Sequence, residues 1–280
     1  MKKFLALLLA FSMVFCFAAC GGNETPETTT NPDSNETTVN GDAEKTIVVG
    51  YTIYEPMNYL DENGKLIGYD TELAEAVFGN LGYKVIFQEI EWSSKYTDLD
   101  SNTIDCVWNG FTANTADDDG VLRSEKVDFS YNYMENRQVV VVKADSGIAT
   151  AEDLNGKFGV AESGSAGEAY AKEFEGTAFK GFIKQTECLT EIKAGTADFA
   201  VVDAQLAKSY VGKGDYADLA IIEALSSDVE YYAIGFKKGS DLKAQVNAQL
   251  EALAADGTIA ALADKYGVAN TAIKDFSDQK

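Results

Sequence analysis

A chain of 280 residues with 46% hydrophobic and 24% charged residues has globular composition and length enough for two modest cores. It contains no histidine, which excludes Ser-His-Asp and Cys-His catalytic groups, a His-ligated zinc and a His-ligated haem. Lys plus Arg number 23 against 45 Asp plus Glu, a net charge of -22, which repels a phosphate backbone and sets nucleic acid aside as a partner.

Lys2 and Lys3 are followed by an apolar run from Phe4 to Ala19 that closes on Ala18-Ala19-Cys20, the pattern of an export signal. The run falls short of the about 20 residues a membrane span needs, and nothing downstream matches it, so no transmembrane helix is expected in the mature protein. A cysteine after two alanines is similar to a bacterial lipoprotein box, with Phe17 where leucine is usual. Cys20 is therefore the expected lipidation site and membrane anchor, with an ordinary cleaved signal as the alternative. Residues 21–44 are rich in Thr, Asn, Glu and Gly; they cannot bury enough apolar surface to offset chain entropy and read as a disordered tether. Cys16 leaves with the signal, so Cys106 and Cys188 remain, a pair that permits one disulfide but builds no framework.

From Lys45 onward strand and helix alternate. Thr46 to Gly50 is an apolar strand, and Pro56 marks a turn out of it. Glu62-Asn63-Gly64-Lys65 signals a hairpin. Leu73, Ala74, Val77, Phe78 and Leu81 form one face of a helix stopped by Gly82, and Lys84 to Gln88 is the next strand. This order predicts an open α/β sheet with helices on both faces and ligands beyond the carboxyl ends of its strands. Leu99 to Gly110 is echoed 93 residues later by Ile192 to Asp203, with Thr103 and Asp105 matching Thr196 and Asp198. The echo predicts two lobes of similar build, one ending a strand at Asn109-Gly110 and the other at Asp203, across a shared cleft.

Phe158 to Ala161 reads as a strand running into a turn of small residues. Ser165 and Glu168 have capping-box spacing, so a helix is expected from Ala166, its free N–H groups suited to a carboxylate or phosphate. An ordinary capped helix is the alternative, and the pattern is not that of a nucleotide-binding P-loop. Val246, Leu250 and Leu253, then Ile259, Leu262 and Tyr266 past a break at Asp256-Gly257, make an apolar helical stripe that reads as core.

Several short motifs occur together and in order: Tyr54-Glu-Pro56, Gly64-Lys-Leu-Ile-Gly-Tyr-Asp70, Asn109-Gly-Phe-Thr112, Val127-Asp-Phe-Ser130, Asp153-Leu-Asn-Gly-Lys157, Ala194 to Asp203, and Gly235-Phe-Lys-Lys-Gly239. From Lys45 to about Val268 the chain resembles the family 3 extracellular solute-binding proteins that serve bacterial ABC importers of polar amino acids. The resemblance implies a type II periplasmic-binding-protein fold, two α/β lobes joined by two crossing strands and closing like a hinge. The implied lobes are residues 45–140 with 230–280, and 141–229. The crossings are expected near Val139 to Lys143 and Glu230 to Phe236.

The same resemblance assigns ligand contacts. Arg123, four residues before Val127, holds the α-carboxylate through a planar fork that lysine cannot match; truncation to alanine is expected to abolish binding with little effect on unfolding. An acidic stretch, Ala116-Asp-Asp-Asp-Gly120, lengthens the spacing from Thr112 to Arg123 beyond the family's and reads as a solvated bulge or a calcium-binding turn. Asp203 takes the α-ammonium, Tyr54 and Trp92 flank the ligand side chain, and Asn109, Gly110, Thr112, Glu162, Ser165 and Ala166 complete the set. No cofactor and no metal are implied. The expected function is capture of a polar amino acid and delivery to the membrane subunits of an ABC permease, without catalysis. A cyclohexadienyl-type dehydratase on the same fold, or an amino-acid-sensing ectodomain, are the alternatives.

Overall fold

The computed structural model describes residues 45–279; the export signal, Cys20 and the tether lie outside the described residues. The chain opens with β1 (Lys45–Tyr51), a hairpin of β2 (Tyr59–Leu60) and β3 (Leu66–Ile67), α1 (Tyr69–Asn80) and β4 (Tyr83–Glu89). Gly82, at φ 77°, takes the left-handed conformation just past the end of α1, where a side chain would be strained. Next come α2 (Lys95–Asp100), β5 (Cys106–Val107), α3 (Arg123–Lys126), β6 (Asp128–Phe129) and β7 (Met134–Asn136). The second half holds β8 (Gln138–Lys143), β9 (Phe158–Glu162), α4 (Ala166–Ala171), β10 (Ala178–Phe182) and α5 (Gln185–Ala194). It continues through β11 (Phe199–Asp203), α6 (Ala204–Tyr210), β12 (Leu219–Ser226), β13 (Glu230–Tyr232), β14 (Gly235–Phe236), α7 (Leu242–Ala255) and α8 (Thr258–Lys265). No helix among the described residues is long and apolar enough to cross a membrane.

The strands form two five-stranded sheets, β4-β1-β5-β14-β6 and β10-β9-β11-β8-β12, in which only the fourth strand of each, β14 and β8, runs antiparallel to the others. Alternation of side chains gives each sheet two covered faces. Val139 and Val141 of β8 pack in the cluster that contains Leu189 and Ile192 of α5, whereas Val140 and Val142 pack with Ala171 of α4 and Phe199. In the first sheet Ile47 and Val49 lie in one cluster with Leu73 and Val77 of α1 and Val246 and Leu250 of α7, so the C-terminal stripe is core and returns to the first lobe. Val48 and Val107 face the opposite layer with Leu99 of α2.

The internal echo has a structural counterpart. The Asp105 carboxylate accepts the Val48 N–H at 2.7 Å and its own N–H donates to the Val48 carbonyl at 2.8 Å; Asp198 makes the same pair with Phe158, both bonds at 2.8 Å. Each aspartate ties the third strand of its lobe to the first just before the two begin to pair, at Val49 with Cys106 and at Gly159 with Phe199.

The lobes are joined by the antiparallel pair β7 and β13, which matches Asn136 with Glu230 and Met134 with Tyr232. The first crossing thus falls at Met134–Asn136, ahead of the expected Val139 to Lys143. That valine run is buried on both faces within the second sheet, because an unbroken β-branched apolar stretch is stable only between two covering layers.

Candidate functional site

The carboxyl ends of the strands from both lobes converge on one small enclosed cavity. It is bordered by Trp92, Asn109, Gly110, Thr112 and Arg123 from the first lobe and Glu162, Ser165, Ala166, Gln185 and Asp203 from the second. Of the ten residues singled out from sequence, nine border it. The tenth, Tyr54, is buried behind Gly110, its hydroxyl 2.7 Å from that of Tyr232.

Arg123 opens α3 and is 1% exposed. Its three nitrogens have three separate acceptors: Nε donates to Asp117 Oδ1 at 2.8 Å, Nη1 to the Thr112 carbonyl at 3.2 Å, and Nη2 to the Gly164 carbonyl of the second lobe at 3.3 Å. The guanidinium carbon lies 5.5 Å from the centre of the Phe111 ring. The acidic stretch is exposed at Asp118 and Asp119, as a solvated bulge should be, but its carboxylates are held in ion pairs. Asp117 also binds Lys126 at 2.9 Å and the Tyr96 hydroxyl at 2.5 Å, Asp119 binds Lys126 at 2.8 Å, and Asp118 binds Lys172 at 2.5 Å. No group of three or more metal-ligating side chains occurs among the described residues.

Asn109 spends its side chain on Thr52 and Asn58, which fixes the end of the strand: Oδ1 accepts from Thr52 Oγ1 at 2.7 Å, and Nδ2 donates to the Thr52 carbonyl at 2.8 Å and Asn58 Oδ1 at 2.7 Å. Gly110 turns at φ 59° where a Cβ would stand 2.7 Å from Tyr54 Cε1, so only glycine fits. Its N–H donates to Asp70 Oδ2 at 3.0 Å, an oxygen that also accepts the Tyr133 hydroxyl at 2.8 Å. Burial pushes the Asp70 carboxyl up to about 7 against these two bonds.

Opposite, Ser165 caps α4 by accepting the Glu168 N–H at 3.0 Å. The reciprocal half of the expected box is displaced by one residue: Glu168 Oε2 takes the N–H of Gly164, not Ser165, at 2.5 Å. Asp203 sits in a cage of amides. Its Oδ1 accepts Asn136 Nδ2 at 2.6 Å and Gln138 Nε2 at 2.7 Å, its Oδ2 accepts Gln185 Nε2 at 2.5 Å, and its N–H donates to Gln185 Oε1 at 2.9 Å. The same amide groups of Asn136 and Gln138 also reach Glu230 Oε1, at 2.6 and 2.7 Å. Burial raises both carboxyls, Glu230 to about 7 with Asp203 as a further cause. Glu162 is pushed up to about 8 by burial and then by the charge of Asp203.

Lys95 is 1% exposed, its ammonium 5.0 Å from the Trp92 ring, 4.6 Å from Tyr96 and 5.8 Å from Phe111. It donates to the carbonyls of Trp92 at 3.3 Å and Gly164 at 3.0 Å, and burial followed by Arg123 pulls it down to about 7. Sequence reasoning missed Gln185, Glu230, Asn136, Gln138 and Lys95. For Gln185 a signal existed, since it lies three residues past the end of β10, near where ligand-facing groups are expected. Lys95 had none, because a lysine in a polar segment reads as surface.

Two α/β lobes on a two-strand hinge, with an arginine and a caged aspartate on facing walls of one cavity, have the build of a solute-binding protein. The chain belongs to the bacterial extracellular solute-binding proteins, family 3, whose profile matches residues 47–269. It is similar to the arginine-binding extracellular protein ArtP of Bacillus subtilis, at 29% identity over 95% of this chain and 98% of that one. The L-cystine-binding protein TcyA of the same organism is 29% identical over 95% and 97%. Among solved structures, an ancestral arginine-binding protein bound to arginine superposes with a TM-score of 0.71 at 34% identity, covering 79% of this chain and 97% of that one.

Proposed function

We propose that this protein captures a polar α-amino acid outside the cell, closes its lobes on it, and presents the complex to the membrane subunits of an ABC permease, held to the membrane by a lipid on Cys20. The observation that carries the reading is the pairing of opposite charges across one cavity: Arg123 on the first lobe and Asp203 on the second, both at least nine-tenths buried, border the same enclosed space. A zwitterion laid between them has its carboxylate on the guanidinium and its ammonium on the aspartate. The guanidinium and the Asp203 carboxylate then each face an opposite charge of the ligand, which favours burial of all four groups. Among the other lining residues, Glu162, Gln185 and Trp92 suit a side chain with polar groups. Bonds from both lobes to one ligand favour the closed over the open arrangement, the shift that a permease reads.

The test is a thermal-shift screen of the twenty amino acids with each sample analysed afterwards for product. A ligand that binds only the folded state adds about 2.7 kcal/mol of stability at a hundred times its Kd. A selective rise in melting temperature with the ligand recovered intact supports capture; a consumed ligand means an enzyme, and no shift with any amino acid overturns the reading.

A further inference from the structure

The acidic insertion before Arg123 remains unassigned by solute capture, and its bonds form a closed circuit. Asp117 Oδ1 holds Arg123 Nε at 2.8 Å; Arg123 Nη2 donates across the cleft to the Gly164 carbonyl at 3.3 Å; the Gly164 N–H donates to Glu168 Oε2 at 2.5 Å. Glu168 Oε1 holds Lys172 at 3.0 Å, and Lys172 returns across the cleft to Asp118 Oδ2 at 2.5 Å. Asp117 and Asp118 are neighbours in the chain, so their peptide bond closes the ring. The circuit passes between lobes twice and grips Gly164, which directly precedes the cavity residues Ser165 and Ala166.

We propose that this insertion is an electrostatic strap: Asp117 positions the arginine of the cavity, and Asp118, through Lys172 and Glu168, fastens the Gly164 turn of the second lobe so that the lobes stay closed. The two halves differ in shielding. Asp117 and Arg123 are 11% and 1% exposed, whereas Asp118 and Lys172 are 43% and 45% exposed. The outer bond is therefore the one that salt screens, the inner one persists, and the strap loosens before the arginine loses its hold. A ring also stiffens what single surface ion pairs do not, since each member fixes the geometry of the next. A separate pair, Lys184 with Glu89 at 2.6 Å, bridges the lobes without touching this ring and serves as a control.

The closure claim rests on the two-lobed fold alone; its effect on release rests on the capture proposed above, and the experiment separates the two. Small-angle scattering of the ligand-free protein is measured at about 0.05 M and 1 M NaCl, where the screening length falls from over 10 Å to about 3 Å, for the wild type, Asp118→Asn, Lys172→Met, Lys172→Arg and Glu89→Gln. Hydrogen exchange of the segment 163–168 is followed in parallel. The expected result is a larger radius of gyration and faster exchange for Asp118→Asn and Lys172→Met at low salt, recovery in Lys172→Arg, and a salt response that the two strap variants lack. Glu89→Gln should leave exchange of 163–168 unchanged. Stopped-flow release of L-arginine and L-glutamine, a cationic and a neutral probe, should be about threefold faster in the strap variants. Equal scattering and exchange in wild type and Asp118→Asn at both salts overturns the strap. Failure of every amino acid to bind, with the scattering difference intact, overturns the capture reading and leaves the strap standing.

Discussion

Replacing Arg123 with lysine keeps the charge and removes the fork. In the folded protein three different nitrogens of this side chain satisfy Asp117, the Thr112 carbonyl and the Gly164 carbonyl, and a single ammonium cannot serve all three directions. It also cannot give a carboxylate two parallel bonds. Bonds to charged groups are each worth about 1.5–3 kcal/mol. With one such bond lost outright and a second weakened, the variant should lose about 2–4 kcal/mol of binding, a rise in Kd of about 30- to 700-fold. The effect without ligand should be smaller, because Asp117 keeps Lys126 at 2.9 Å and Tyr96 at 2.5 Å. Alanine at the same position is a poorer probe than the sequence suggested: it removes the donor to the Thr112 carbonyl and one of several donors to Asp117 and the Gly164 carbonyl, so unfolding would shift as well. Titration calorimetry with the amino acid identified by thermal shift, on wild type and Arg123→Lys, gives the comparison. Affinity within about threefold of wild type, less than 0.7 kcal/mol, would refute the fork argument.

The remaining predictions concern the buried acids, the glycine turn and the thiols. Burial raises the carboxyls of Asp70 and Glu230 to about 7 and Glu162 to about 8, so between about pH 4 and 8 the folded protein holds protons that the unfolded chain has released, and stability should fall as pH rises through that window. Melting of ligand-free protein should be higher at pH 5 than at pH 8, and Glu162→Gln should raise it at pH 8 and flatten the profile; a wild-type curve that climbs from pH 5 to 8 contradicts the assignment. Lys95, lowered to about 7, works in the other direction and only above neutrality. Gly110→Ala forces a Cβ to within 2.7 Å of Tyr54 at a φ of 59°, with a cost of about 2 kcal/mol or more, read as a drop of about 4–8 °C in melting temperature and as lost affinity; an unchanged protein would mean the turn relaxes freely. Cys106 and Cys188 are buried, unpaired and on different lobes, and burial pushes both thiols up, so a thiol reagent should label neither in the native mature chain and both after denaturation; fast native labelling would mean that a core opens.

Much of this molecule was legible without coordinates because its signals are local or repeated. The period-3.6 face of α1, its glycine stop, and the strand on either side follow from steric and hydrophobic rules that act within a dozen residues. The echo between Leu99 to Gly110 and Ile192 to Asp203 correctly announced two lobes, since the same strand-tying aspartate is needed wherever the same three parallel strands are built. What local pattern could not supply was the partner of each polar group. Asp118 finds Lys172 and Lys95 finds the Gly164 carbonyl only when the lobes meet. Asp203 acquires its cage from Asn136 on the hinge and Gln185 on a helix, and Tyr54 is drawn behind Gly110 by the Tyr232 hydroxyl. Hydrophobic periodicity is a property of a segment, whereas desolvation and charge pairing are properties of a place. The order of residues decided which segments form and which face turns inward; only the assembled fold decided which charges are buried, and against what.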